Sequence, residues 1–151
     1  MTPDPHDLEI LQTEHTTISQ AHGIRIPGYL IVEPRAACTQ ISDLDPAQAA
    51  DLMHCLSLAE ALVRAMTDPA RIYILKFGEE KPQIHFHVVP RTEEIAEAYR
   101  AEIDDAEPYN GARVVDWIWN NHEAFGKTDA QLRAAADQAR AILHRADVET
   151  A

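Results

Sequence analysis

Between Pro82 and Pro90 the chain reads Gln-Ile-His-Phe-His-Val-Val, with polar and apolar residues alternating as far as Val88. This period of two constrains the fold more than any other feature, because an extended chain points successive side chains to opposite faces. The segment predicts a strand with Ile84, Phe86 and Val88 on one face and Gln83, His85, His87 and Val89 on the other. The apolar set needs a hydrophobic layer beneath it. The polar set is left aligned on the opposite face, with neighbours roughly 7 Å apart at roughly 3.3 Å of rise per residue.

The surrounding chain supplies the other layers. Arg71 to Phe77 is rich in β-branched and aromatic residues, and only Gly78 to Lys81 separate it from the alternating segment, so the two predict a hairpin. Thr16 to Glu33, punctuated by Gly23 and Pro27-Gly28, predicts two more strands joined by a turn. Asp45 and Pro46 form an N-cap and first-turn proline. From there Ala50, Met53, Leu56, Leu58, Ala61, Leu62 and Ala65 continue at helical spacing until Asp68-Pro69 ends the run. Beyond Pro90 the chain turns helical, over Thr92 to Asp105 and again over Asp129 to Ala146, with a loop at Glu107 to Gly111. The expected class is α+β: an antiparallel sheet with one long helix packed on it and a helical C-terminal extension, residues 92–151, resting on a core of residues 1–91.

A chain of 151 residues with 46% hydrophobic content fits one domain. Its net charge of −12 opposes binding to nucleic acid polymers or anionic membranes, since no broad basic surface is available to displace phosphate counterions. No apolar run reaches the roughly 18 residues of a membrane span, and the N-terminal stretch lacks the basic and apolar regions of a signal peptide, which leads us to expect a cytoplasmic protein. Cys38 and Cys55 are read as ordinary thiols.

The paired imidazoles carry the chemistry. A neutral imidazole offers a nucleophilic nitrogen near pH 7, and its other ring nitrogen can donate to a carbonyl that sets the tautomer. Phosphorus-bound imidazole is also a competent leaving group. His85 is therefore the expected nucleophile, with His87 assisting as a protonated donor to phosphoryl or leaving-group oxygens. Gln83 is placed to donate an amide hydrogen to the phosphoryl group, and Lys81 and Arg91 are the cations expected to reach its charge.

The segment from Gln83 to Val89, with Pro90-Arg91 after it, resembles the signature of the histidine-triad (HIT) family, His-φ-His-φ-His-φ-φ with φ apolar. Upstream, Pro27-Gly-Tyr-Leu-Ile-Val-Glu-Pro34 is similar to the family's Pro-Gly-His-φ-φ-φ-φ-Pro strand, and the acid-capped helix from Asp45 follows in place. The resemblance covers Thr16 to Arg91. It implies a fold that is often dimeric, here a homodimer. It further implies a small-molecule nucleotide or related phosphate ester as ligand, and hydrolysis or transfer of a nucleotidyl group from a phosphoanhydride or phosphoramidate through a covalent intermediate on His85. His87 aligns with the last histidine of the signature, and Gln83 replaces the first. Tyr29 stands where many relatives carry a further histidine; it is grouped with the substrate-binding residues, although the replacement removes a partner from the triad.

Two other readings accompany this one. The missing first histidine and the helical C-terminus suit a non-catalytic nucleotide-binding or interaction module, whereas a metal-dependent enzyme would use His85 and His87 as ligands. No protein-held cofactor is implied; a divalent cation would arrive with the substrate's phosphates. Trp117 and Trp119, alternating with Asp116, Ile118 and Asn120, are read as packing or interface residues.

Overall fold

The computed structural model describes residues 4–150, so the reading of the N-terminus for a signal peptide falls in part, over Met1 to Pro3, outside the described residues. A single turn α1 (Pro5–Leu8) leads into β1 (Glu9–Gln12), β2 (Thr16–Gln20) and β3 (Leu30–Pro34). Then come the long helix α2 (Pro46–Thr67), β4 (Arg71–Leu75) and β5 (Phe86–Arg91), and finally α3 (Glu93–Glu102), α4 (Gly111–Asn121) and α5 (Asp129–Thr150). The strands form one antiparallel sheet in the order β1-β2-β3-β5-β4, so the class is α+β as the alternation and the capped helix imply.

Helix α2 begins where its cap predicts. Asp45 accepts from the Gln48 amide at 2.8 Å while the Gln48 side chain accepts from the Asp45 amide at 2.9 Å, which satisfies two donors that the first turn would otherwise leave open. It ends at Asp68, in the left-handed region at φ 47°, just before Pro69. Its buried stripe, Leu52, Cys55, Leu56, Ala59, Leu62 and Val63, packs on Ile18, Leu30, Val32, Phe86 and Val88. Helix α5 joins this layer through Ala136 and Ala139, small residues that let it approach closely.

The opposite face is only partly covered. Helices α3 and α4 lay Ile95, Tyr99, Val114, Trp117 and Ile118 against Tyr29 and Val89. Thus the C-terminal third divides, α3 and α4 on one face of the sheet and α5 on the other.

Three local expectations need correction. Strand β1 was not anticipated, because four residues are too few to display a period. The hairpin connection is longer than Gly78 to Lys81, since pairing stops at Leu75 and resumes at Phe86. The segment Val114 to Asn121 is helical, so Trp117 and Trp119, two residues and roughly 200° apart, point to nearly opposite sides instead of sharing a face.

Candidate active site

His85 and His87 flank Phe86 at the start of β5. Phe86 and Ile84 are buried on the α2 side, so the two imidazoles stand on the other face with ring centroids 5.1 Å apart. Strand pairing places Ile31 and Leu75 on either side of His87. With Thr17, Ser19, Glu33, Arg35 and Gln83, Ile31 lines a cavity of about 460 Å³; neither histidine lines it, and Ile31, the strand partner of His87, connects it to them.

The hydrogen bonds assign a tautomer to each ring. His85 Nδ1 lies 2.9 Å from the Gln83 carbonyl oxygen, which only accepts, so Nδ1 carries the proton and Nε2 keeps its lone pair. His87 has the complementary arrangement. The indole N–H of Trp119 donates to the Tyr29 hydroxyl at 2.9 Å, and that hydroxyl lies 2.7 Å from His87 Nδ1. Tyr29 is 0% exposed and meets no other acceptor among the described residues, so its proton goes to His87 Nδ1 and the His87 proton resides on Nε2. One imidazole thus offers a lone pair and its neighbour an N–H.

Burial enforces this state. Desolvation, aided by the neighbouring His85, pushes the His87 pKa down to about 4, so the ring is neutral at pH 7 and donates as imidazole, not as the protonated ring expected from sequence. Burial likewise pushes Tyr29 up to about 12, the Trp119 bond opposing it, so the phenol keeps its proton and remains a donor.

The other residues singled out in the sequence are distributed unevenly. Fully buried, Tyr29 supports His87 and does not face a ligand; far from removing a partner from the triad, it is one. Gln83 borders the cavity, but its amide is committed to the loop after β3: Oε1 accepts from the Cys38 amide at 2.9 Å, and Nε2 donates to the carbonyls of Pro34 and Ala36 at 3.1 and 2.8 Å. Lys81 is held 2.9 Å from Glu33 at the cavity edge. Arg91 is not brought to the histidines; it lies at the far end of β5, its guanidinium 4.9 Å over the Tyr109 ring.

Two residues complete the site that sequence reasoning did not place there. Trp119 stands 5.6 Å from His87, and Phe77 makes an edge contact with Trp119 at 5.4 Å while remaining 59% exposed. Together they wall the side of His87 away from the cavity. Trp119 comes from a helix with no counterpart in the signature, and nothing local in its sequence links it to Tyr29. Among the described residues no group of three His, Cys, Asp or Glu side chains converges on a metal-sized site, and no helix is long and apolar enough to cross a membrane.

Comparison with known proteins accords with this geometry. No curated protein matches the chain. Among solved structures, the NitFhit protein of C. elegans is similar with a TM-score of 0.58 and 16% identity over 89% of this chain, which spans only 27% of that protein's length. The diadenosine triphosphate hydrolase of Plasmodium falciparum gives a TM-score of 0.62 at 12% identity, covering 92% of this chain and 78% of that one. A histidine triad protein of Sinorhizobium meliloti 1021 gives 0.53 at 24% identity, covering 74% and 84%. At such identities the likeness is one of fold. The HIT domain family model, however, matches residues 6–94, more than half of the chain and the whole histidine segment, and the chain therefore belongs to the HIT family.

Proposed function

We propose that the chain is a nucleotide hydrolase or nucleotidyl transferase acting on a phosphoanhydride or phosphoramidate, with His85 as nucleophile. The complementary tautomers of His85 and His87 carry this reading. His85 Nε2 attacks the phosphorus bonded to the nucleoside oxygen; a new N–P bond forms as the bond to the leaving oxygen or nitrogen breaks. The neutral His87 Nε2–H bonds to the phosphoryl oxygens and stabilises their charge, and the departing oxygen or nitrogen takes its proton from solvent water. Water, or another acceptor, then attacks the nucleotidyl-histidine and restores His85.

The cavity beside the histidines suits the nucleoside, with Thr17 and Ser19 hydroxyls and the Glu33 carboxylate as polar partners and Ile31 beneath. Arg35 lines that cavity as its own cation, and Lys81, paired with Glu33 at 2.9 Å, is freed as a second once Glu33 is engaged by substrate. Gln83 acts through the loop that it braces. Any divalent cation would enter with the substrate's phosphates. β4 is an edge strand with Ile74 exposed on it and Phe77 exposed just beyond it, which supports a homodimer formed along that edge; sedimentation analysis checks it.

One observation favours the second reading, a binding module: the first position of the triad contributes no imidazole, and its amide is already engaged. Incubation with an adenosine phosphoramidate and, separately, a diadenosine polyphosphate decides between them. Adenosine monophosphate released by the wild type and not by His85→Ala supports catalysis. Nucleotide bound by both with no product from either supports the module.

A further inference from the structure

Arg71 and Arg91 face each other across the β4–β5 ladder. Like charges placed directly opposite destabilise a sheet unless a group of opposite sign joins them. Arg91 is the more confined of the two: it is 5% exposed and its Nε donates to no acceptor among the described residues. Glu107 approaches only to 3.5 Å of Nη1, at the outer limit of a hydrogen bond, and is 65% exposed.

Both arginines line a cavity of about 400 Å³ together with Tyr73, Tyr109 and Gly111. Gly111 is the first residue of α4, so the positive end of that helix dipole borders the same space. A Cβ there would lie 3.1 Å from Tyr73 Cε1, so glycine lets the Tyr73 ring lie close against the start of α4. The cavity is distinct from the histidine site. Arg91 lies four residues beyond His87 on the same face, roughly 13 Å at roughly 3.3 Å per residue. Val89, between them, is sealed in the aromatic layer.

We propose that this cavity is a second ligand site, taking the phosphate or carboxylate group of a small molecule between Arg71 and Arg91 at the start of α4. Two guanidinium forks match the paired oxygens of such a group, and the arriving oxyanion displaces the loosely held Glu107. The site goes beyond the nucleotidyl chemistry and does not require His85.

The test is a titration of the ¹⁵N-labelled full chain with inorganic phosphate and, separately, with benzoate, followed by amide shifts. Saturable shifts are expected at Tyr73, Gly111 and Ala112 in the wild type and equally in His85→Ala, which also separates failure of this site from failure of the catalytic reading. The probe that binds tells which oxyanion the site accepts. The exposed Arg71→Ala is expected to weaken binding about tenfold, and Glu107→Gln to strengthen it by removing the competing carboxylate. Absence of saturable shifts with both probes, an affinity unchanged by Arg71→Ala, or one that fails to rise in Glu107→Gln overturns the proposal.

Discussion

The two faces of the sheet are built from the same strands and differ in almost every other respect. On the α2 side, Ile18, Leu30, Val32, Phe86 and Val88 meet an aliphatic layer with little polar chemistry. On the other side, alternate residues of those strands present Thr17, Ser19, Ile31 and His87, half roofed by aromatic side chains and half open. The difference teaches that alternation along β5 separates fold stability from reactivity by one residue at a time. Phe86 and Val88 hold the sheet to its helix, and His85 and His87, between and beside them, stand on the other face where the proposed chemistry would take place. The Trp119–Tyr29–His87 chain is where the two functions meet, because Tyr29 is at once a core residue and a hydrogen-bond partner of the site.

If that separation is real, substitutions on one face should leave the other intact. The largest effect is expected for His85→Ala, which should reduce turnover by about 10³-fold or more with an unchanged thermal midpoint; a large fall in both would show that the histidine face also bears the fold. Its counterpart is Val88→Ala, three residues on. Removing that fully buried side chain from the α2 face should cost about 2 kcal/mol in chemical denaturation while kcat stays the same.

The pH dependence of stability sharpens the contrast from the histidine side. With a folded pKa of about 4 against an ordinary value of 6.5, the His87 ring is neutral in both folded and unfolded chains above pH 6.5 and has no effect there. As the pH falls from 6.5 toward 4 the unfolded chain takes up the proton first, so the folded state should lose about 2–3 kcal/mol over that window. His87→Asn should remove this component from denaturation curves measured across the window, and an unaltered curve would mean that His87 is not held neutral.

The smallest expected effects lie where the faces join. Tyr29→Phe deletes the hydroxyl that donates to neutral His87, and Trp119→Phe deletes the indole donor that orients it. Each should lower kcat about tenfold, close to the worth of one hydrogen bond. Tyr29→Phe should also raise the His87 pKa, because a donor to the neutral ring is gone; NMR titration of the imidazole would read it.

Much of this arrangement was legible in the chain itself, wherever the determinant was local. The face assignment of His85 and His87 follows from a period of two, and both ends of α2 are written in Asp45-Pro46 and Asp68-Pro69. Helix α4 carried a readable signal too: Val114, Trp117 and Ile118 are spaced as one helical face, although the Trp-x-Trp alternation beside them suggests a strand. What could not be read is non-local. Trp119 reaches Tyr29 across ninety residues of chain, and Gln83 finds its acceptors in a loop that follows a different strand. Arg71 and Arg91 become neighbours only once the hairpin register is set.

The central claim is that His85 forms a covalent bond to the nucleotidyl group while its neighbour remains a neutral donor. Intact-protein mass spectrometry after a brief acid quench, with an adenosine phosphoramidate as substrate, tests it most directly. The account predicts an added adenylyl mass on the wild type and none on His85→Ala. Turnover by the wild type with no adduct at any quench time, or an adduct that persists in His85→Ala, would contradict it.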